Sequence, residues 1–433
     1  MLKICRSLFI AINAVKKSEI STWKIEHACP QCGAPVTLEE TDRLFSCSYC
    51  RVRLYLLSQD YFRYYLPPSG PFSKDIIFVP YWRFKGMAFF CKANGIKYTI
   101  NDLSSLASSH TFLPHSLGFR PQALKLKFLS SKIEAKFFQH QVPLKTIIES
   151  VEKRLNRLDD APVKGPIFYE AFISETISLI YSPVFVQGDM FHDAILGRPV
   201  ASIPKDFIDD LLSFDQEKDW QIKFVSTLCP QCGWDLLGER DSVVLFCKNC
   251  DSVWEASKKG LNPRDFGMIP SKEGNAFYLP FWRMDASIKG LKIHSYADLL
   301  RITNVPKVMK REWEELNFYF WCPAFKVPPE PFLRSTQALT LSEPQEEFER
   351  DLPKSPLYPV NLPSNEAAES IKVTIANIVV DKTKIFPKLK EMDIQINKFQ
   401  LIFLPFILVG NEFIQSQSRF CIHKNALKLG KNL

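Results

Sequence analysis

The stretch Cys29-Pro30-Gln31-Cys32-Gly33, followed by a second cysteine pair at Cys47 and Cys50, decides the fold of this chain. Two residues between paired cysteines allow one tight turn to aim both sulfurs at a common point. Two such turns, brought together by a short hairpin, make a tetrahedral cage of four thiolates. The glycine suits a turn that needs a positive φ angle. The stretch therefore predicts a site for one metal ion, and Zn²⁺ accepts this geometry.

The pattern returns almost letter for letter as Cys229-Pro230-Gln231-Cys232-Gly233, closed by Cys247 and Cys250. Glycine is absent from the closing pairs, where Arg51 and Asp251 take its place, so we expect these turns to be less ideal. We predict two structural Zn²⁺ ions per chain, one in each quartet. The predicted ligands are Cys29, Cys32, Cys47 and Cys50 in the first site and Cys229, Cys232, Cys247 and Cys250 in the second.

Two alternatives to zinc remain open. Four thiolates also suit iron in a rubredoxin-like cage, and the cysteines of each site could instead form a pair of disulfides. In either metal-bound form, a four-cysteine site has no open coordination position for water or substrate. The quartets therefore predict a stabilising role and no metal-based catalysis.

Both quartets resemble zinc ribbons, in which two cysteine knuckles sit on a small three-stranded β unit. The resemblance covers residues 27–56 and 227–256. It implies the local fold and the ligands. Zinc ribbons serve transcription factors, ribosomal proteins, helicases and adaptors, so the resemblance alone implies no particular function.

The repetition extends beyond the cysteines. Val79-Pro80-Tyr81-Trp82-Arg83 recurs as Leu279-Pro280-Phe281-Trp282-Arg283, and Pro143 matches Pro363 in the same order along the chain. The sequence therefore predicts a tandem duplication of a unit of roughly 200 residues. This layout resembles that of uncharacterised bacterial proteins with two zinc ribbons and repeated PFW strands, a resemblance that implies no activity.

The composition favours strands and rigid turns over long helices. Of the 433 residues, 35 are phenylalanine, and the 30 prolines outnumber the 16 glycines. We therefore predict an α+β fold in which each half is a mainly antiparallel β unit with one or two helices and a zinc ribbon. Helices are predicted at Leu144–Leu158, at Lys205–Phe214 and from Ser364 onward, and each half is expected to close with a β-hairpin, at Gly165–Gln187 and Asp393–Gly410.

The predicted organisation has six segments. They are an N-terminal lead-in segment (1–26), zinc ribbon 1 (27–56), the α+β domain of the first repeat (57–200), a linker with an acidic helix (201–226), zinc ribbon 2 (227–256) and the α+β domain of the second repeat (257–433).

The repeated aromatic strand offers candidate partner-binding residues: Trp82, Arg83, Trp282 and Arg283. An arginine beside a tryptophan face can bind an acidic group or stack on a base. The alternative, which the recurrence in both halves favours, is a strand packed in a sheet with the arginine at its wet end.

The function classes that remain are binding classes. We find no phosphate-binding loop, dinucleotide fingerprint, zinc-protease motif or nucleophile elbow. The sequence therefore predicts a non-catalytic, zinc-stabilised binding or scaffold protein with protein partners, and an enzyme would need an unforeseen polar pocket between the halves. A nucleic-acid binder is the second hypothesis, because the net charge is +8 and Lys85–Lys97 interleaves lysines with phenylalanines.

The eight thiols reserved for metal favour a reducing compartment, so we predict a cytoplasmic protein. The apolar run Leu8–Val15 is shorter than a signal peptide requires and is interrupted by Asn13. The most apolar window, Phe399–Gly410, is too short to span a bilayer. Neither the partner's identity nor the oligomeric state can be read from the sequence.

Overall fold

The computed structural model describes residues 23–58, 60–70, 76–118, 124–130, 133, 135–143, 166–205, 220, 222–257, 259–271, 273–291, 293–303, 305–342, 347–415, 417–418, 420–431 and 433. Most of the predicted lead-in segment lies outside these ranges. The helix predicted at Leu144–Leu158 also lies outside them, as does all but the first residue of the one predicted at Lys205–Phe214.

The described chain is mixed α+β and consists mostly of strands, as predicted. Strands before the second ribbon are β1 Lys24–Ala28, β2 Pro35–Glu39, β3 Leu44–Ser46, β4 Arg53–Leu57, β5 Phe62–Tyr65, β6 Ile77–Lys92, β7 Gly95–Leu106, β8 Leu126–Phe128, β9 Lys136–Phe137, β10 Tyr169–Gln187, β11 Met190–Asp193 and β12 Pro199–Ser202. They are followed by β13 Lys223–Ser226, β14 Val244–Cys247, β15 Ser252–Ser257, β16 Gly260–Arg264, β17 Phe266–Met268, β18 Phe277–Lys289, β19 Phe320–Pro323, β20 Asp393–Val409, β21 Glu412–Gln415 and β22 Phe420–His423.

The helices all lie in the second half of the described chain. They are α1 Tyr296–Thr303, α2 Pro329–Leu341, α3 Ser364–Ile378, α4 Lys382–Ile385 and α5 Lys424–Gly430, with short 3₁₀ turns at Arg311–Glu314 and Phe386–Lys388. Within the ranges given above, none of the helices is both long and apolar enough to cross a membrane.

Each half is built on one pair of long antiparallel strands. In the first half β6 pairs with β10, so that Trp82 lies opposite Leu179, and β5 runs parallel to β10 on its other edge. In the second half β18 pairs with β20, so that Trp282 lies opposite Leu401, and β17 runs parallel to β20. The predicted hairpins at Gly165–Gln187 and Asp393–Gly410 are wrong, because β10 and β20 are each one continuous strand that turns only at its end into β11 or β21.

The same hydrogen bonds recur at the repeated motif. The indole Nε1 of Trp82 donates to the carbonyl of Val142 at 2.7 Å, and that of Trp282 donates to Leu362 at 2.9 Å. These acceptors directly precede Pro143 and Pro363, the prolines that the sequence comparison aligns. Both halves therefore bury the tryptophan in the same way.

Further backbone bonds repeat in the same relative places. The N–H of Ala107 donates to Pro80, and the N–H of Ala324 donates to Pro280. Equivalent pairs also link Leu66 to Tyr181 and Ile269 to Phe403, and link Phe138 to Phe78 and Tyr358 to Tyr278. The two halves thus share strand register and hydrogen bonding around the repeated motif.

The core is continuous from one half to the other. All of β6 is buried, because its side chains alternate between two apolar layers. Phe84, Ala88 and Phe90 belong to the core of the first half. Met87 and Phe89 belong to the core of the second.

Helix α3 packs between the halves and contacts strands of both. In its first turn, a carboxylate oxygen of Glu366 accepts a hydrogen bond at 2.6 Å from the N–H of Ser174 in β10. Ser174 has a φ of +60°, at a register shift in the pairing of β10 with β6. A buried carboxylate from one half therefore satisfies an irregular piece of backbone in the other.

Candidate metal centres

The eight predicted ligands form two separate clusters. In each cluster the four sulfurs all lie within 4.8 Å of one another. The members are Cys29, Cys32, Cys47 and Cys50 in ribbon 1 (residues 27–56) and Cys229, Cys232, Cys247 and Cys250 in ribbon 2 (residues 227–256). In each quartet the first and third cysteines are buried, while the second is exposed.

The sulfur separations match a metal tetrahedron. The Sγ atoms of Cys29 and Cys50 are 3.7 Å apart, as are those of Cys229 and Cys250. Zn–S bonds of ~2.3 Å in a regular tetrahedron place sulfurs about 3.8 Å apart, whereas a disulfide needs about 2.05 Å. All eight cysteines are free thiols. The geometry fits a four-thiolate metal site, and the donor set suits Zn²⁺ or iron.

The knuckle turns adopt the backbone that the sequence predicts. Gly33 and Gly233 have φ angles of +73° and +75°, and each donates its N–H to the carbonyl of the first cysteine of its quartet, at 2.8 Å. Arg51 and Asp251 occupy the same left-handed region, with φ angles of +62° and +45°. The closing turns therefore hold non-glycine residues where glycine is favoured.

Backbone N–H groups lower the pKa of one predicted metal ligand in ribbon 1. The N–H of Cys50 and the N–H of Tyr49 point at Sγ of Cys47 and lower the pKa of this thiol to about 6. A thiol with this pKa is a thiolate at neutral pH, which is the form that binds metal. The turn thus supplies both the position and the charge of the ligand.

Ribbon 2 adds a side-chain hydroxyl to this arrangement. Burial of the Cys229 thiol opposes ionisation, but the Ser252 hydroxyl and two backbone N–H groups lower its pKa to about 6. The Ser252 hydroxyl accepts a hydrogen bond from Nε1 of Trp254 at 2.8 Å. Its own O–H proton can therefore be donated to a cysteine sulfur. Such outer contacts orient and tune metal ligands. Ribbon 1 has Val52 at the equivalent position.

The two ribbons share a sheet. Strand β13, which lies just before ribbon 2, pairs antiparallel with β4 of ribbon 1, from Lys223 opposite Leu57 to Ser226 opposite Leu54. The sequence assigned residues 223–226 to a linker, and the structure places them in this sheet. The lead-in strand of one ribbon therefore completes the β unit of the other.

Apolar side chains fill the space between the ribbons. Leu44 and Tyr55 of ribbon 1 form one cluster with Leu236, Leu245 and Trp254 of ribbon 2. Cys229 and Cys247 belong to the same cluster. The two ribbons therefore pack against each other through a shared apolar cluster.

The candidate partner-binding residues lie mostly inside the protein. Trp82 is 4% exposed, and Trp282 and Arg83 are 0% exposed. The prediction that the arginine lies at a solvent-exposed strand end is wrong for Arg83. The carboxylates of Glu40 and Asp102 enclose its guanidinium. Burial removes these three side chains from the surface that a partner would meet. Arg283 differs, because it is half-buried and lines a cavity.

The basic aromatic strand predicted at Lys85–Lys97 is also largely internal. Lys85 is 1% exposed and Lys92 is 2% exposed, and Phe89 and Phe90 are fully buried. Lys85 and Lys92 belong to β6, which is buried throughout, whereas Lys97 is exposed on β7. The buried side chains of Lys85 and Lys92 cannot follow a phosphate backbone.

A polar cavity of about 160 Å³ lies between the halves, which the sequence did not predict. Its polar groups are engaged with one another. Lys326 donates from Nζ to the Thr176 hydroxyl at 3.3 Å, and Asn361 donates from Nδ2 to a carboxylate oxygen of Asp241 at 2.6 Å. Burial lowers the pKa of Lys326 to about 8, against the opposing charge of Glu366.

Comparison of the chain with protein-family models, with curated proteins and with solved structures finds no match to any of them. The functional argument therefore rests on the two quartets and on the surfaces that the fold presents.

Proposed function

We propose that this chain is a non-catalytic binding or scaffold protein, folded around two structural Zn²⁺ ions, which engages protein partners. The observation that carries the proposal is Trp234, which is 62% exposed on ribbon 2. Its carbonyl accepts a hydrogen bond at 2.7 Å from the N–H of Cys229. A metal-held turn thus presents a large aromatic side chain to solvent in a fixed position.

Two more large apolar side chains are exposed on the same ribbon. Leu228 is 51% exposed and Leu237 is 37% exposed. Tryptophan is enriched among residues that dominate the energy of protein interfaces, and rigid presentation limits the entropy lost on binding. At the equivalent positions of ribbon 1 the side chains are small, namely Ala28, Ala34 and Thr37. Ribbon 2 is therefore the proposed contact surface.

The test compares wild-type chain with the Trp234→Ser variant as bait in native lysate. We expect proteins retained by the wild type to be lost by the variant, because the removed aromatic is the proposed anchor. The matched control is Leu429→Ser, since Leu429 is also exposed, at 57%, but lies on α5. Identical retained proteins for all three chains, with two zinc ions in each, would contradict the proposal.

Nucleic-acid binding is the competing proposal; Lys97 of the predicted basic stretch is exposed, whereas Lys85 and Lys92 are buried. It makes a separate prediction, because binding to phosphates weakens steeply with ionic strength. Retention of single- or double-stranded nucleic acid at low salt, lost on adding salt, would support it. No retention at low salt would exclude it.

We further propose that the two halves arose by tandem duplication of one unit and that the protein is cytoplasmic. The repeated hydrogen bonds of Trp82 and Trp282 support the duplication. Eight metal-binding thiols suit a reducing compartment. An enzyme remains the third alternative, with the 160 Å³ cavity as its support.

A further inference from the structure

Arg83 and Arg283 occupy the same place in the two halves but have different surroundings. Arg83 forms ion pairs with Asp102 and with Glu40, the latter at 3.3 Å. The ring of Trp23 covers its guanidinium at 4.0 Å. This charge is neutralised and sealed from solvent.

Arg283 has no carboxylate within ion-pair distance among the described residues. Gln400, which lies opposite it on β20, accepts from the guanidinium at 2.6 Å and donates in turn to Asp265 at 2.9 Å. A neutral amide thus stands between the arginine and Asp265. Burial lowers the pKa of Arg283, against the opposing effects of Tyr319, Asp285 and Asp265.

The sequence explains why the carboxylates are missing. Glu40 of the first half corresponds to Arg240 in the second, and Trp23 corresponds to Lys223. Asp102 lies on β7, whereas the second half pairs β18 with β19 on that side, where Trp321 lies opposite Arg283. The second half therefore has the arginine but not the groups that neutralise and cover it in the first half.

A cavity of about 310 Å³ lies beside Arg283. Arg283 lines it together with aromatic and polar side chains, including Tyr296, Asn317, Phe318, Tyr319 and Thr340. The Tyr319 ring centre lies 3.3 Å from the guanidinium carbon, so this ring supports one face of the cation. The volume lies in the range of small-molecule sites, which combine apolar walls with a few placed polar groups.

We propose that this cavity binds a small organic carboxylate with a flat apolar body, whose carboxylate pairs with Arg283. A planar guanidinium favours two parallel hydrogen bonds to a carboxylate. The flat body of the ligand would lie against Phe318 and Tyr319. Exposed Glu315 also lines the cavity and disfavours a doubly charged phosphate. The ligand thus supplies the negative charge that Glu40 and Asp102 supply to Arg83.

The test measures binding of benzoate and of indole-3-acetate by calorimetry, with benzamide and inorganic phosphate as charge controls. We expect at least one carboxylate to bind the wild-type chain, and to bind Arg283→Gln at least about tenfold more weakly. Benzamide and phosphate should bind more weakly than that carboxylate. Arg301→Gln is the matched control, because Arg301 is a surface arginine of the same half, 50% exposed and paired with Asp298.

A second variant keeps the proposal testable if Arg283→Gln does not fold. Asn317→Trp adds bulk at an exposed position lining the cavity and leaves the arginine in place. It should abolish carboxylate binding with unchanged metal content. The proposal is overturned if neither carboxylate binds the wild type at about 10 mM. It is also overturned if benzamide or phosphate binds equally well, or if a folded Arg283→Gln or Asn317→Trp binds like the wild type.

Discussion

The hydroxyl of Tyr55 in ribbon 1 donates a hydrogen bond at 3.0 Å to the carbonyl of Ser242 in ribbon 2. Tyr55 is 2% exposed, and this bond lies beside the sheet that β13 and β4 form across the halves. The Tyr55→Phe substitution should therefore destabilise the chain by about 1 kcal/mol, since a buried carbonyl loses its donor. Denaturant unfolding measures this. Tyr49→Phe is the control, because Tyr49 is 69% exposed. An equal effect of both variants on the free energy of unfolding would show that the hydrogen bond of Tyr55 contributes nothing to stability.

The Cys32→Ser variant should bind one metal ion per chain instead of two, because three thiolates hold Zn²⁺ far less well than four. Native mass spectrometry and elemental analysis measure the metal content and identify the ion as zinc or iron. Cys421→Ser is the control, since Cys421 lies outside both quartets. Two ions per chain in Cys32→Ser would refute the ligand assignment.

Gly33→Ala should destabilise ribbon 1 by about 1 kcal/mol, because alanine resists the left-handed φ of +73° at this position. A Cβ there meets no atom within 4 Å, so the effect isolates backbone strain. Arg51→Gly should act in the opposite direction, since its φ of +62° suits glycine. Thermal melts of the zinc-bound chain measure whether each substitution raises or lowers the melting temperature. A higher melting temperature for Gly33→Ala would contradict the argument.

Trp282→Ala should cost about 3–5 kcal/mol of stability, because it empties a fully buried site and leaves the Leu362 carbonyl without its donor. Trp234→Ala is the matched control at an exposed tryptophan, and we expect it to change the free energy of unfolding by less than about 0.5 kcal/mol. Equal costs for the two substitutions would mean that burial does not distinguish these side chains.

The stability of the chain should rise with pH between about 8 and 10.5 through Lys326. The pKa of this buried amine is lowered to about 8 in the folded chain, from an ordinary value of 10.5. The unfolded chain therefore binds more protons across this window, and unfolding becomes less favourable as pH increases. The difference in unfolding free energy between wild type and Lys326→Met should show this rise. Lys289→Met is the control at an exposed lysine, 77% exposed. A flat difference for Lys326→Met would contradict the shift.

The metal ligands could be predicted from the sequence because the chemistry is local. Cysteine spacing and a glycine of positive φ fix each knuckle within a few residues, as Gly33 and Gly233 illustrate. The helix beginning at Ser364 was also predicted from its own pattern. The hydroxyl of Ser364 donates a hydrogen bond to Glu255 at 2.9 Å, a partner distant in sequence that the local pattern does not predict.

What could not be predicted depends on contacts between residues distant in sequence. Arg83 and Lys85 look like surface residues in the sequence, yet both are buried, and Trp23, Glu40 and Asp102 enclose the guanidinium of Arg83. The unequal environments of Arg83 and Arg283 likewise depend on which strand pairs beside each arginine. No short window of sequence contains that information.

The pairing of β13 with β4 also bears on how the chain is made. A ribosome releases β4 long before β13, so ribbon 1 leaves the exit tunnel with an open strand edge. During that interval another nascent chain can pair with the bare edge, and two neighbouring chains can exchange their β13 strands. Synthesis at low density, or a chaperone that shields this edge, should therefore raise the yield of chains in which β13 pairs with β4 of the same chain.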